Sequence, residues 1–306
     1  MIGSCPICNN TQAKVHAAYR HSHASFAGLN RAHCDACGMV FASPMPAEAA
    51  LKDYNTSYFS SAHDGLANNA STVAFFSGLS RLRIAHIERY LEIHHIDVSS
   101  VFELGPGSGV FARNWLEKHP KTKYAASETD HSCHPYLHQL GVNVVDNSVE
   151  FKPPATDLIV MSHVLEHVTN PIKFLSDATQ CLRKGGALFI EVPCRDYEHK
   201  SQDEPHLLFF DKEPMQGLLG QLGFNNISLS YHGVRLNRLR SPFFLHAKWM
   251  ALRSKLIRFG IVRPFARRYP GMEILNDPSE RAMIAPFQAH TESDTPAWWL
   301  RALATK

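Results

Sequence analysis

The strongest constraint on the fold is a short apolar strand that runs directly into a glycine-rich loop and then a helix. The strand covers residues 101–104, and the loop reads Gly105-Pro-Gly107-Ser-Gly109. Glycines allow left-handed backbone angles and a close approach of a ligand, and the helix that begins near Val110 presents free N–H groups. This order predicts a parallel α/β sheet that binds a polar ligand at its carboxyl edge.

An acidic residue at the end of the next strand narrows the choice of ligand. Glu128 closes the strand-like run 124–128, where a carboxylate can accept both hydroxyls of a ribose. The glycine loop, however, is one residue shorter than the G-x-G-x-x-G pattern of dinucleotide-binding proteins. The sequence therefore predicts a nucleotide-type ligand other than NAD.

Three later segments of the chain resemble further strands of the same kind of sheet. Residues 157–163 resemble a fourth strand, residues 182–193 a turn and fifth strand, and residues 223–229 the approach to a sixth. Together with the loop, they resemble the ordered motifs of class I methyltransferases that use S-adenosylmethionine, over roughly residues 80–231. The resemblance implies a Rossmann-like α/β fold with a seven-stranded sheet, closed by an antiparallel strand at residues 297–306.

The resemblance also implies which residues contact the methyl donor. Glu103 would orient its amino group, the loop glycines would admit its amino-acid and ribose parts, and Glu128 would hold the ribose. Asp146 or Asn147, which follow the third strand, would meet the adenine. The full expected donor-binding set is Glu103, Gly105, Gly107, Gly109, Glu128, Asp146, Asn147 and Ser162.

Two histidines are the expected catalytic residues. His163 stands just beyond the fourth strand, beside the place where donor and acceptor must meet, and His206 lies in a segment that resembles the family's acceptor-pocket lining. Either imidazole can remove a proton from a hydroxyl or an acidic carbon. The expected acceptor contacts are Tyr54, Tyr58, His167 and Arg235.

The run His163-Val-Leu-Glu-His167 also matches the inverted zinc-protease signature, H-x-x-E-H. That site needs a long helix, whereas here the run follows a buried strand directly. Asn170 and Pro171 then mark a new helix start, with Asn as the N-cap. The protease interpretation is therefore set aside, and His167 and Glu166 are expected to support His163.

Four of the seven cysteines form two C-x-x-C hooks, Cys5–Cys8 and Cys34–Cys37. Each hook can place two thiolates on one ion, so the pair predicts a closed structural zinc site. The gap between the hooks is longer than usual, which leaves a histidine as an alternative fourth ligand. The candidates for that substitution are His16, His21, His23 and His33.

Composition indicates a globular enzyme with one unusual surface. Of 306 residues, 44% are hydrophobic and 19% charged, and no run is long and apolar enough for a membrane span or a signal peptide, so we expect a cytoplasmic protein. Residues 214–272 contain ten Lys or Arg and no Asp or Glu, although the net charge is only +3. Apolar residues at helical spacing between Pro242 and Pro264 predict a basic amphipathic helix there.

The expected organisation has five parts. Residues 1–45 form a zinc ribbon and 46–80 a helical lid or linker. Residues 81–231 form the S-adenosylmethionine-binding core, 232–296 a basic helical insertion that helps to select substrate, and 297–306 the closing strand. A homodimer is a further expectation, because the basic helix could pack against a second copy.

The expected acceptor is a small molecule, with an anionic one favoured by the basic insertion. A zinc ribbon before this fold is similar to sugar C-methyltransferases, but those carry a larger carboxyl-terminal domain, so C-, O- and N-methylation all stay open. Two alternatives remain at this point. One is an RNA methyltransferase, against which the ribbon offers only Lys14, Arg20 and Arg31. The other is a non-catalytic binding protein that keeps the fold.

Overall fold

The computed structural model describes residues 3–49, 51, 54, 70–145, 154–240, 252, 255, 256 and 271–306. The strands are β1 Lys14–Ala18, β2 Asn30–His33, β3 Val40–Ser43, β4 Ser100–Leu104, β5 Lys123–Ser127, β6 Asn143–Val144, β7 Thr156–Ser162, β8 Leu182–Pro193, β9 Leu208–Phe209, β10 Asn225–Arg235, β11 Glu292–Ser293 and β12 Ala297–Thr305. The α-helices are α1 Ala70–Ile93, α2 Val110–Lys118, α3 His134–Gln139, α4 Pro171–Ala178, α5 Lys212–Gln221, α6 Leu236–Leu239 and α7 Pro278–Ile284.

Among the described residues, the main sheet has eight strands in the order β11-β10-β12-β8-β7-β4-β5-β6. Strands β6, β5, β4, β7 and β8 run parallel, and β12 inserts antiparallel between β8 and β10. The predicted α/β fold with a mostly parallel sheet is therefore confirmed. The two-residue strand β11 adds an eighth member at one edge, beyond the seven that were expected.

The central strands are buried on both faces, as expected where helices cover a parallel sheet. Successive residues of β4 pack into two different clusters: Val101 joins the one that contains Phe189, and Phe102 joins the one that contains Ile190. All four side chains are at most 2% exposed. This double burial explains why these strands read as continuous apolar runs rather than as alternating ones.

The amino-terminal ribbon is joined to the main domain through a shared sheet. Strands β1, β2 and β3 form an antiparallel set, and β9, from far along the chain, adds to its edge with Val40 opposite Phe209. Ile7 and Phe26 of the ribbon belong to the same core cluster as Phe102. The ribbon is thus packed onto the side of the molecule that carries residues 196–210.

Helix α1 connects the parts that the sequence analysis separated at residue 80. It runs without a break from Ala70 to Ile93, and α7 crosses it at Gly78, where an added Cβ would lie 2.8 Å from Ile284. Ser77 donates a 2.6 Å hydrogen bond to the Glu280 carboxylate at the same crossing. Part of the predicted 232–296 insertion therefore packs on α1, while the domain limits themselves stay predictions.

Most of the predicted basic helix lies outside the described residues. Arg235 and Arg238 are described and exposed, and Arg240 pairs with Glu198. Within the described part of the chain, no helix combines the length and the apolar character needed to cross a bilayer.

Candidate active site

The glycine loop joins the end of β4 to α2 and has the backbone geometry that glycine permits. Gly105, Gly107 and Gly109 have φ angles of +67°, +55° and +76°. A Cβ at Gly105 would also lie 2.6 Å from the Val164 side chain. Any other residue at these positions would strain the turn, so the backbone here is shaped for close approach.

Glu128 follows β5 and bonds directly to this loop. Its Oε2 accepts a hydrogen bond from Gly107 N at 2.8 Å, and its Oε1 accepts one from Asp130 N at 2.9 Å. The residue is half-buried. Each carboxylate oxygen keeps a second lone-pair direction, so the group is oriented and still able to accept hydroxyls.

Glu103, near the end of β4, is a buried acid beneath the loop. The residue is 4% exposed, and its Oε2 accepts a 2.7 Å hydrogen bond from the Tyr124 hydroxyl. Burial disfavours the charged form and raises the pKa of Glu103 to about 7. A cation placed beside this carboxyl would reverse that shift.

His163 lies where β7 ends, as the sequence predicted. Its φ is +57°, and its side chain is 37% exposed. Its Nδ1 lies 3.3 Å from Glu166 Oε1, and its Nε2 lies 3.4 Å from Glu191 Oε1. Burial alone would lower the pKa of His163, but these two carboxylates raise it. The neighbouring Ser162 hydroxyl is buried and has no hydrogen-bond partner among the described residues.

Glu191 is a site residue that the sequence analysis missed. It is fully buried in β8 and receives hydrogen bonds from Arg83 Nε at 2.9 Å and Arg301 Nε at 2.6 Å. Although burial would raise its pKa, the two guanidinium groups hold the pKa of Glu191 well below its usual range. The sequence did carry a signal for this residue, namely a single Glu within the apolar part of its strand. A charge buried in such a strand requires a partner.

His206 is held from both sides of its ring. Its Nδ1 lies 2.7 Å from Asp196 Oδ2, and its ring meets that of His167 edge-on at 4.9 Å between centroids. The residue is 5% exposed. Glu166 joins this pair, since one ligand-type atom from each of Glu166, His167 and His206 lies within 4.8 Å of the others. Both histidines were expected at the site from the sequence, but their contact was not.

The short turn that carries Glu166 and His167 excludes the protease interpretation. Residues 165–167 form a single 3-10 turn instead of a long helix. The predicted start of the next helix is confirmed, because Asn170 Oδ1 accepts a 3.0 Å hydrogen bond from Lys173 N and Pro171 occupies the first turn. Burial lowers the pKa of His167 to about 4.

Several hydrogen bonds join the ribbon to the segment that carries His206. Asp203 accepts hydrogen bonds from the Arg20 backbone N at 2.7 Å and from Arg20 Nε at 3.1 Å, and the Tyr19 hydroxyl bonds to the His206 carbonyl at 2.9 Å. Ala42 N bonds to Leu207 O at 2.8 Å. The position of His206 therefore depends on an intact ribbon.

The four hook cysteines converge within the ribbon. The Sγ atoms of Cys5 and Cys37 are 3.5 Å apart, as are those of Cys8 and Cys34, and all four lie within 4.8 Å of one another. Gly38, at φ +73°, turns its N–H back to the Cys34 carbonyl at 2.9 Å. Four sulfur donors in this arrangement suit a tetrahedral zinc ion, and no histidine joins them among the residues described.

Of the other residues that the sequence predicted for the site, two are described and three are not. Tyr54 packs against the ribbon, with its ring centroid 5.2 Å from those of both His23 and Phe26. Arg235 is exposed at the end of β10. Tyr58, Asp146 and Asn147 lie outside the described residues.

The chain is similar to several known proteins. An uncharacterized protein of Methanocaldococcus jannaschii is 26% identical over 44% of this chain and 68% of its own length. Two S-adenosylmethionine-dependent methyltransferase structures are also similar. The one from Thermotoga maritima has a TM-score of 0.43 at 16% identity and covers 74% of this chain and 98% of that one. The one from Archaeoglobus fulgidus has a TM-score of 0.46 at 15% identity and covers 74% and 94%.

The family match covers the part of the chain that builds the site. The sequence profile of the family described as "Methyltransferase domain" matches residues 75–229, which is half of the chain. The matched range includes the glycine loop, Glu128, His163 and His206. The chain therefore belongs to the methyltransferase domain family.

Proposed function

We propose that this protein transfers the methyl group of S-adenosylmethionine to a small molecule at the carboxyl edge of the main sheet. The observation that carries the proposal is the joined pair of glycine loop and Glu128. Three left-handed glycines follow β4, and the acidic side chain after β5 is already bonded to the loop. This arrangement offers backbone N–H groups and one fixed carboxylate to a nucleoside-type ligand.

The donor contacts follow from the positions of these groups. Glu128 accepts the ribose hydroxyls, and the backbone of the glycine loop, whose φ angles are left-handed, lies against the amino-acid and ribose parts of the donor. Glu103 pairs with the donor's ammonium group, which favours its charged form. The Ser162 hydroxyl, buried and unpaired among the described residues, supplies a further polar contact. Asp146 and Asn147 remain the proposed adenine contacts.

We infer that His163 takes the acceptor's proton. The bound sulfonium supplies an electrophilic methyl group, so the protein contributes alignment and, where needed, a base. The His163 side chain is 37% exposed and stands at the strand end, whereas His206 is 5% exposed and held by Asp196. Glu166 and Glu191 stabilise the imidazolium that forms. His206 is the second choice for the base.

The acceptor side is proposed from fewer contacts. The His167 ring contacts that of His206, Tyr54 packs against His23 and Phe26 of the ribbon, and Arg235 is exposed at the end of β10. An anionic small molecule fits the exposed arginine. The four hook cysteines are proposed to hold a structural zinc ion that keeps the ribbon against residues 196–210.

The test is a labelled-methyl experiment. Purified protein is incubated with S-adenosylmethionine that carries an isotopic methyl group and with a metabolite extract, and mass spectrometry locates the label. We expect labelled small molecules with wild type and, at a donor concentration near the wild-type Kd, much less label with Glu128→Ala. Label found in RNA alone would favour the RNA methyltransferase alternative. Donor binding by calorimetry without any labelled product would instead favour a binding protein.

A further inference from the structure

We propose that Glu166, His167 and His206 bind a divalent transition-metal ion, and that this ion holds an oxygen atom of the methyl acceptor. Metal binding by these three residues does not depend on the proposed function. The role of the ion in holding the acceptor rests on the proposed function, and it makes the acceptor a hydroxyl compound with a second oxygen beside the hydroxyl.

The geometry of the three side chains suits one ion. Their ligand-type atoms all lie within 4.8 Å of one another, and His167 Nε2 is 3.9 Å from Glu166 Oε1. Two ligands that are each about 2.1 Å from an ion can be separated by up to about 4.2 Å. Small side-chain rotations therefore bring all three atoms into coordination distance.

Glu166 is a buried carboxylate that lies close to His163 but has no hydrogen bond among the described residues to offset its burial. The residue is 1% exposed, and neither carboxylate oxygen has a hydrogen-bond partner among the described residues. His163 Nδ1 approaches one oxygen at 3.3 Å. A buried carboxylate is costly unless it is paired or coordinates a metal, and no hydrogen bond within the described chain meets that cost.

Neighbouring residues fix the positions of the three proposed ligands through hydrogen bonds and an ion pair. Asp196 Oδ2 lies 2.7 Å from His206 Nδ1, which leaves Nε2 as the free coordinating nitrogen. Asp196 is itself buried and paired with Lys200 Nζ at 2.8 Å. Leu207 N bonds to the Glu166 carbonyl at 2.8 Å and so joins the two ligand segments. A carboxylate on the outer nitrogen of a ligating histidine is the usual support for such sites.

The ligand set also indicates the kind of ion and its use. Two imidazoles and one carboxylate suit manganese, iron, cobalt or zinc, and three protein ligands leave open positions for water or substrate. An acceptor hydroxyl bound there becomes more acidic. Coordination of Glu166 would release Nδ1 of His163. This nitrogen takes the hydroxyl proton as the oxygen attacks the donor methyl, the methyl–sulfur bond breaks, and S-adenosylhomocysteine leaves, while Glu191 stabilises the imidazolium.

The test measures metal binding without turnover. Protein with zinc-filled cysteine hooks is titrated with Mn²⁺, which disfavours thiolates, and free Mn²⁺ is followed by electron paramagnetic resonance. We expect one Mn²⁺ per chain. Glu166→Gln and His206→Gln should each weaken binding by at least about tenfold, and Asp196→Asn by about 10–100-fold. The control His138→Gln, at an exposed histidine of α3, should bind as wild type does.

Each outcome bears on one half of the proposal. The metal site would be overturned if wild type takes up no Mn²⁺, or if folded Glu166→Gln and His206→Gln bind Mn²⁺ as tightly as wild type does. Circular dichroism checks that each variant is folded. His167→Asn replaces any variant that fails to fold. Acetohydroxamate, a bidentate oxygen ligand, should lower the water-proton relaxation of the Mn²⁺-loaded protein, and its failure to do so would overturn the acceptor half. Donor calorimetry on the same samples separates these results from a failure of the proposed function, which would appear as Mn²⁺ binding without donor binding.

Discussion

Glu191 of β8 and Arg301 of β12 lie directly opposite each other in the antiparallel register, and Arg301 Nε donates a 2.6 Å hydrogen bond to Glu191 Oε2. Arg83 of α1 binds the other oxygen at 2.9 Å. One buried carboxylate thus connects two strands, the long helix and, through His163, the site. The closing strand and α1 are held at the catalytic edge by charge as well as by packing.

The first prediction tests this network. Glu191→Gln keeps the side-chain volume but leaves two buried guanidinium groups without their charge partner, so we expect a loss of about 3–5 kcal/mol in the free energy of unfolding. Denaturant titration measures it. The matched control is Glu292→Gln, whose pair with Arg89 is more than half exposed and should change stability by less than about 1 kcal/mol. Equal small effects for both variants would contradict the network's role.

The second prediction concerns donor binding by Glu128. Charge-assisted hydrogen bonds to the ribose contribute about 1.5–3 kcal/mol each, so Glu128→Ala should weaken S-adenosylmethionine by at least about tenfold in calorimetry. Glu92→Ala, at an exposed position of α1, is the control and should bind normally. Unchanged affinity in Glu128→Ala would remove this residue from the donor site.

The third prediction is a pH dependence set by Glu103. In the free protein its pKa is about 7, so it is protonated below that pH. The donor's ammonium favours the carboxylate, so binding below pH 7 must release a proton. Donor affinity should therefore rise with pH until about 7 and then level off. Calorimetry in buffers of different ionisation heat detects the released proton, and Glu103→Gln should show neither effect. A flat profile in wild type would count against a Glu103–ammonium contact.

The fourth prediction concerns the base. His163→Asn is the variant of choice, because His163 has φ +57° and asparagine tolerates that region. If the acceptor must lose a proton, kcat should fall by about 10²–10⁴-fold while donor affinity is kept. His206→Gln provides the comparison. Near-normal turnover in both variants would mean that the acceptor reacts without a base from these residues.

The fifth prediction concerns the ribbon. In the Glu166→Gln background, which lacks the proposed second metal site, metal analysis should find one zinc per chain, and Cys34→Ser should abolish it. In the otherwise wild-type chain, Cys34→Ser should also lower turnover, because the ribbon is hydrogen-bonded to residues 203–207. Donor affinity should stay within about threefold, since the glycine loop is held by other contacts. Zinc-free protein with freely reactive hook thiols would contradict the assignment of the four cysteines.

Local patterns were sufficient for much of the fold. The glycines of the loop were readable because only glycine accepts their backbone angles, and the central strands because burial on both faces demands continuous apolar runs. Asn170 and Pro171 marked a helix start by short-range hydrogen bonding. The convergence of the four hook cysteines was also predicted, since paired C-x-x-C spacing suits a single ion. The roles expected for Tyr58, Asp146 and Asn147, which lie outside the described residues, stay predictions.

Tertiary structure decided the contacts between residues that are distant in sequence. Nothing local indicates that Glu191 meets Arg83 and Arg301, that β9 completes the ribbon sheet, or that His206 meets Glu166. The H-x-x-E-H run matches a signature that needs a long helix, which the neighbouring sequence argued against, and the chain forms one tight turn there. Side-chain clusters of this kind depend on how strands and loops are ordered in space, which the spacing of residue types along one chain does not specify.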